Sequence, residues 1–139
     1  MALEISVQGK YLGPVASFLS ELTLAGRPSR TRSRLIRELQ KSREQFSQAL
    51  VDLAGTLGGT INPNGTINFE DPNNTPKFVE QRAELDDEEY IYSENIKGEF
   101  LVLYNALNDV TVDGRFADAY DALMGAFEEA FQTADDTEK

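Results

Sequence analysis

Residues 30–56 read RTRSRLIRELQKSREQFSQALVDLAGT, and this stretch decides the fold. Ser29 precedes it and is a typical helix cap, while Gly58 and Gly59 follow it and are typical of a helix end. Its apolar residues recur every three or four positions, as they do on one face of a helix. They are Leu35, Ile36, Leu39, Phe46, Leu50, Leu53 and Leu57. The sequence therefore predicts one amphipathic helix over 30–56, about 40 Å long at about 1.5 Å per residue.

Shorter elements precede this helix. Leu3, Ile5 and Val7 alternate with polar residues, which predicts a half-buried strand. A helix is expected over 14–25, with Gly26 as its terminator.

The middle of the chain is rich in turn-forming residues. Residues 58–76 predict a flexible connector or a short hairpin, because Asn64-Gly65 is a typical hairpin turn. A short helix over about 75–85 is expected next. Residues 90–92, Tyr-Ile-Tyr, then predict a strand that pairs with residues 3–7.

Two more amphipathic helices are expected in the C-terminal part. Ser93 is the predicted cap of the first, and the turn Asp113-Gly114 precedes the second. The apolar stripe of the first is Ile96, Phe100, Leu103, Tyr104 and Leu107. That of the second is Phe116, Tyr120, Leu123, Phe127 and Phe131. Residues 134–139 are polar and are predicted to be a disordered tail. The expected fold is mainly α: a single three- to four-helix, bundle-like domain over 1–139 with a minor two-stranded β element.

Composition restricts the chemistry that this chain of 139 residues offers. It has no cysteine and no histidine, so it lacks the thiolate, the usual general base at neutral pH and the commonest transition-metal ligand. No apolar run is long enough to span a bilayer, and no signal peptide is evident at the N-terminus. We therefore expect a cytoplasmic, non-enzymatic protein with no catalytic residue, no cofactor, no metal and no membrane association.

Charge is distributed unevenly along the chain. The formal net charge is -11, and residues 59–139 carry nineteen acidic residues against five basic ones. In contrast, residues 27–43 hold seven of the thirteen basic residues. The candidate partner-binding residues are Arg27, Arg30, Arg32, Arg34, Arg37 and Lys41. The favoured interpretation is that they contact acidic neighbours or an acidic protein partner, and the alternative is phosphate contact on nucleic acid.

Three other charged features have structural interpretations. Arg43 interrupts the apolar face of the long helix and is expected to form an ion pair with a carboxylate of a neighbouring helix, the alternative being that its charged end extends into solvent. Residues 109–114 resemble the start of a calcium loop, but position 12 would be Tyr120 rather than glutamate, so an Asp-Gly turn is expected. The acidic run over 86–89 predicts a solvated turn.

The segment FLSELTLAGRPSRTRSR, residues 18–34, resembles a family of small uncharacterised proteins encoded by phages and prophages of Gram-positive bacteria. The motif positions are Ser29, Arg30, Arg32 and Arg34. The resemblance implies a phage context and an accessory or assembly role, and it carries over no catalytic residue. For the arginines we favour a structural role at the corner between the first two helices.

The expected function is that of a non-catalytic phage accessory protein that acts through protein–protein interaction or self-association. It would lie in the host cytoplasm or the virion and take part in assembly. Two alternatives are a nucleic-acid-associated regulator that uses the basic helix, and an acidic mimic of nucleic acid, which the net charge of residues 59–139 suggests.

Overall fold

One long helix organises the fold, as the sequence predicts. The computed structural model describes the backbone of residues 3–138 and the side chains of residues 3–134. Within these residues the helices are α1 (Leu12–Ser20), α2 (Gly26–Thr56), α3 (Asn74–Asp87), α4 (Glu99–Leu107) and α5 (Ala117–Glu138). The strands are β1 (Glu4–Gln8), β2 (Gly59–Ile61), β3 (Ile67–Phe69) and β4 (Glu89–Ser93). The mainly α fold with a minor β element is confirmed.

The core lies between α1, α2, α4, α5 and the sheet formed by β1 and β4. Its largest fully buried side chains include Phe18, Phe100 and Phe127. The rings of Phe100 and Phe127 meet edge to face with centroids 5.4 Å apart. A single aromatic and aliphatic core thus joins the two ends of the chain.

Strand β1 pairs with β4 in antiparallel register, with Ile5 opposite Tyr92 and Val7 opposite Tyr90. Ile5, Val7 and Tyr92 are buried, so the alternation in the sequence correctly identifies the inner face. The predicted pairing of the two segments is confirmed. The connector also contains the hairpin β2–β3, in which Gly65 at the turn adopts a φ of 87°.

The boundary between α1 and α2 differs from the prediction. Helix α1 ends at Ser20, because Leu22 and Leu24 pack on the core as alternate residues of an extended segment. Helix α2 begins at Gly26, so Ser29 lies inside the helix instead of capping it. Pro28 is tolerated there because the first turn of a helix needs no intrahelical N–H partner.

The start of α4 also differs from the prediction. Ser93 is the last residue of β4 and caps nothing, and Ile96 is 57% exposed instead of buried. The buried carboxylate of Glu94 replaces the predicted cap, since it accepts the backbone N–H of Phe100 at 3.0 Å. The remaining stripe positions Phe100, Leu103 and Leu107 are fully buried, as predicted.

Helix α5 extends further than the sequence predicts. Its backbone is helical through Glu138, past the predicted start of a disordered tail at 134. Helix propagation adds one hydrogen bond for each residue fixed, and alanine and glutamate are good helix formers. Lys139, the last residue of the predicted tail, lies outside the described residues.

Candidate partner-binding groove

A groove runs between the N-terminal half of α2 and the segment that joins β4 to α4. Its volume is about 530 Å³. One wall carries Arg27, Arg30, Arg34 and Arg37, and the other carries Ile96 with the neighbouring Asn95 and Glu99. Four of the six predicted partner-binding residues therefore line one concave surface.

The groove continues along α2 toward the middle of the helix. A second concavity of about 460 Å³ shares Arg34 and Asn95 with the first and adds Lys41 on the helix side. Ile91 lies on its opposite wall. We call the two together the basic groove, defined by Arg27, Arg30, Arg34, Arg37 and Lys41 on α2 and by Ile91 and Ile96 across from them. The basic positions alternate in steps of three and four, which keeps them on one helix face.

Arg34 holds the two walls of the basic groove together. Its guanidinium forms an ion pair with Glu99 at the start of α4 and donates to Glu38 at 3.3 Å and to the carbonyl of Ser93 at 3.5 Å. The side chain of Glu99 is 7% exposed, against 37% for Glu38. Arg34 is therefore a structural residue whose charge is largely neutralised within the chain.

Glu99 itself collects several donors from both walls. Its carboxylate also accepts the backbone N–H of Asn95 and the hydroxyl of Thr31, the latter at 3.5 Å. Glu94 performs a related task nearby, because its carboxylate accepts the N–H groups of Leu3 and Phe100 at 3.0 Å each. Two buried carboxylates thus fix the corner between β4 and α4 and the shape of the groove.

Arg32 points away from the basic groove. Its guanidinium donates to the carbonyl of Leu22 and, at 3.1 Å, to the hydroxyl of Ser29. These contacts tie the extended segment after α1 to the first turns of α2. Arg32 therefore holds the corner between the helices, where the sequence led us to expect a structural role.

The other four basic side chains of the groove are open to solvent. Arg27, Arg30, Arg37 and Lys41 are exposed, and none of them makes a hydrogen bond or ion pair with another residue in the described range 3–134. Basic residues near a helix N-terminus oppose the helix dipole, so this arrangement does not favour the helix itself. The structure therefore presents an unneutralised basic stripe along one wall of a groove.

Two isoleucines on the other wall are unusually exposed. Ile91 is 60% exposed and Ile96 is 57% exposed, whereas Tyr92 between them is buried. Neither isoleucine was predicted to be a site residue, and Ile96 was predicted to lie in the core. The alternation of side chains along β4 indicates that Ile91 is exposed, because Tyr90 and Tyr92 on either side of it occupy the inner face.

Tyr92 forms part of the floor of the groove beside Ser42 and Lys41. Its hydroxyl is buried and, among the described residues, Ser42 lies beside it without completing a hydrogen bond. Burial raises the pKa of Tyr92 above its ordinary value, because the charged form would lose its hydration.

The other charged features lie apart from the groove. Arg43 is exposed and makes no ion pair with the described residues, so the predicted ion pair is wrong. Its guanidinium instead lies over Gly13, where a Cβ atom would be 3.4 Å from Nε. Asp113 accepts the N–H of Arg115 at 3.0 Å, as expected of a turn, and no group of three acidic side chains between residues 3 and 134 is arranged to hold a metal.

Comparisons of the chain with protein-family models, with curated proteins and with solved structures each give no match. Among the described helices, none is long and apolar enough to cross a membrane. Any conclusion about what the chain binds therefore rests on the residues of the groove.

Proposed function

We propose that this chain is a non-catalytic phage or prophage accessory protein that binds an acidic protein surface in its basic groove. The resemblance at residues 18–34 suggests the phage context, and with it the host cytoplasm or the virion as the place of action. One observation supports the binding role: unpaired basic side chains, such as Arg30 and Arg37, lie across one groove from the exposed Ile91 and Ile96.

The isoleucines favour a protein over nucleic acid as the occupant. Protein interfaces combine apolar contact with arginine-rich hydrogen bonding, and arginine is enriched in them. A phosphate backbone would pair with Arg30 and Arg37 but would leave Ile91 and Ile96 against water or charge. A peptide segment that alternates carboxylates with apolar side chains satisfies both walls.

Nucleic acid is the second candidate because the basic stripe is open and long. Arg27 and Lys41 lie fourteen positions apart, which corresponds to about 21 Å along a helix. Phosphates recur along a single strand on a shorter spacing, so several could be contacted at once. The excess of acidic residues over 59–139 opposes this interpretation, because negative charge repels phosphate.

A non-catalytic role fits the way in which the groove uses its ionisable groups. The buried carboxylates Glu94 and Glu99 are already saturated by backbone N–H groups and by Arg34. The other ionisable groups that line the groove are Glu38, which pairs with Arg34, Tyr92, whose hydroxyl is buried, and the basic side chains of α2. Such a set binds anions better than it moves protons.

Titration with a labelled peptide of alternating glutamate and leucine tests this proposal. Fluorescence anisotropy is expected to show salt-sensitive binding that weakens about tenfold, or about 1.4 kcal/mol, in the double variant Arg30→Ala/Arg37→Ala. The matched control is Lys77→Ala/Arg82→Ala on α3, which removes two exposed cations outside the groove. Equal affinity for all three proteins would overturn the proposal, and tighter binding of a single-stranded oligonucleotide than of the peptide would favour nucleic acid.

A further inference from the structure

The face of α5 that is turned toward β1 carries an unneutralised acidic stripe. Asp118, Asp121 and Glu129 line a groove of about 500 Å³ on this face, together with Glu89 from β4. All four carboxylates are exposed, and none forms an ion pair with a residue in the described part of the chain. No lysine or arginine lines the groove.

This stripe is comparable in length to the basic stripe of α2. Asp118 to Glu129 spans about 17 Å of helix, and Arg27 to Lys41 spans about 21 Å, at about 1.5 Å per residue. In both stripes the charged or small residues recur in steps of three and four, so each occupies one helix face. Two helices laid side by side would place the two stripes of opposite charge against each other.

Small residues between the carboxylates permit a close approach. Ala122, Gly125 and Ala126 also line the acidic groove, and a Cβ atom added at Gly125 would meet nothing within 4 Å. Side chains of this size leave room for the exposed Ile91 and Ile96, which flank the basic stripe. The acidic surface therefore carries small side chains, whereas the basic surface carries exposed isoleucines.

The two stripes belong to different parts of the fold. Helix α5 packs mainly on β1 and α1, while the basic half of α2 borders the corner between β4 and α4. The two grooves have no lining residue in common. Ser6, which lines the acidic groove, is the cross-strand partner of Ile91 in the basic groove, so the two grooves lie on either side of the β1–β4 sheet.

We infer that the occupant of the basic groove is the acidic face of α5 of a second copy of this chain. This inference rests on the proposed function and names its partner. Helix α5 is preferred to the other acidic segment, α3, because α3 carries Lys77 and Arg82 among its acids, whereas residues 117–138 contain no basic residue. Because each copy carries both surfaces, the contact can close reciprocally in a two-fold dimer or run head to tail into chains or larger rings.

The net charge of -11 opposes self-association, and screening determines which effect wins. At an ionic strength of about 0.1 M the Debye length is about 10 Å, so charges on distant parts of two copies are screened more than those in contact. We expect association near this ionic strength and its loss at about 1 M salt, where exposed ion pairs also weaken.

Sedimentation velocity of the full chain and of two neutralised variants tests the inference. The wild type is expected to form species larger than a monomer, and their proportion should rise with concentration and fall at high salt. The variants Arg30→Ala/Arg37→Ala and Asp121→Asn/Glu129→Gln should each be monomeric, yet their mixture should form a one-to-one dimer through the single intact interface. The controls Lys77→Ala/Arg82→Ala and Glu80→Gln/Glu84→Gln should associate like the wild type.

Three results would overturn the inference: a wild type that is monomeric at every concentration, association that persists in both variants, or a mixture that stays monomeric. Failure of this inference is distinguishable from failure of the proposed function. If the wild type is monomeric but the glutamate-leucine peptide still binds more weakly to Arg30→Ala/Arg37→Ala, the groove serves a different acidic protein. If neither measurement responds to this variant, the groove has no binding role.

Discussion

Arg34 of α2 and Glu99 of α4 form an ion pair across the base of the basic groove, with the glutamate side chain 7% exposed. Because Glu99 also accepts an N–H from Asn95 and a hydroxyl from Thr31, it links the long helix to the corner that begins α4. This link fixes the distance between the arginine wall and the isoleucine wall. The shape of the basic groove therefore depends on a contact that is itself mostly buried.

Glu99→Ala is expected to lower the free energy of unfolding by about 3 kcal/mol, because it leaves a mostly buried guanidinium without its main partner. Urea denaturation followed by circular dichroism measures the change. Glu38→Ala is the matched control, since Glu38 is the more exposed partner of Arg34 and should cost less than about 1 kcal/mol. Equal losses in the two variants would show that burial of the pair does not matter.

Glu94→Ala is expected to cost about 1–2 kcal/mol, since it removes the acceptor for the N–H of Phe100 in the first turn of α4. It also frees the N–H of Leu3 beside the start of β1. Hydrogen exchange should therefore increase at both segments together. If exchange rises at only one of the two segments, a single carboxylate does not hold both. The control is Glu4→Ala, an exposed position, which should change exchange at neither segment.

Tyr92→Phe tests the buried hydroxyl that lacks a hydrogen bond. At neutral pH the variant should be as stable as the wild type or slightly more so, because no hydrogen bond is lost and a polar group leaves the interior. A loss of more than about 1 kcal/mol in urea denaturation would show that the hydroxyl is bonded in solution.

The raised pKa of Tyr92 also predicts a response to alkaline pH. Burial favours the neutral phenol of Tyr92 and so raises its pKa in the folded state. The stability that this shift contributes is complete below the unfolded pKa of about 10 and is lost as the pH rises through the higher folded pKa. The free energy of unfolding should thus fall above about pH 10, and it should fall less in Tyr92→Phe. Part of the loss should remain, because burial also raises the pKa of Tyr90 and the hydrogen bond to Glu128 raises that of Tyr104. Identical alkaline curves for both proteins would refute the assignment.

Two glycines should respond in opposite ways to alanine. Gly9→Ala places a Cβ atom 2.7 Å from the carbonyl oxygen of Leu85 and 2.8 Å from the ring of Phe46, so we expect a loss of about 1–3 kcal/mol. Gly125→Ala meets open space in the interior of α5 and should gain about 0.5–1 kcal/mol. Thermal unfolding of both variants measures this, and a destabilised Gly125→Ala would show that the acidic face is more crowded than the structure indicates.

Local sequence patterns predict the elements of this fold well. In α2 the apolar residues recur every three or four positions, and in β1 they alternate. Each period follows from the burial of one face, so it can be read from neighbouring residues. The pairing of β1 with β4 was predictable because both are short strands with apolar residues, in a chain that is otherwise mostly helical. In contrast, the cap of α4 was missed because Glu94 accepts the N–H of Phe100, six positions further along the chain, a geometry that only the folded corner creates.

The candidate site was predictable only on its charged side. The density of basic residues in 27–43 identifies the stripe, but the sequence does not show that Arg32 and Arg34 are used internally while Arg30 remains open. The opposite wall depends on tertiary placement, since Ile96 fits a helical stripe in sequence and lies in an exposed connection in the structure. The predicted ion pair of Arg43 was wrong because the guanidinium lies over Gly13, a contact that the sequence does not reveal.

The most direct test of the central claim is a nuclear magnetic resonance titration of the labelled protein with the glutamate-leucine peptide. We predict that the amide shift changes are concentrated in residues 27–41 of α2 and in residues 91–96, with α3 unaffected. Changes confined to α3 or α5, or none at peptide concentrations that saturate the anisotropy signal, would contradict the assignment of the basic groove as the binding surface.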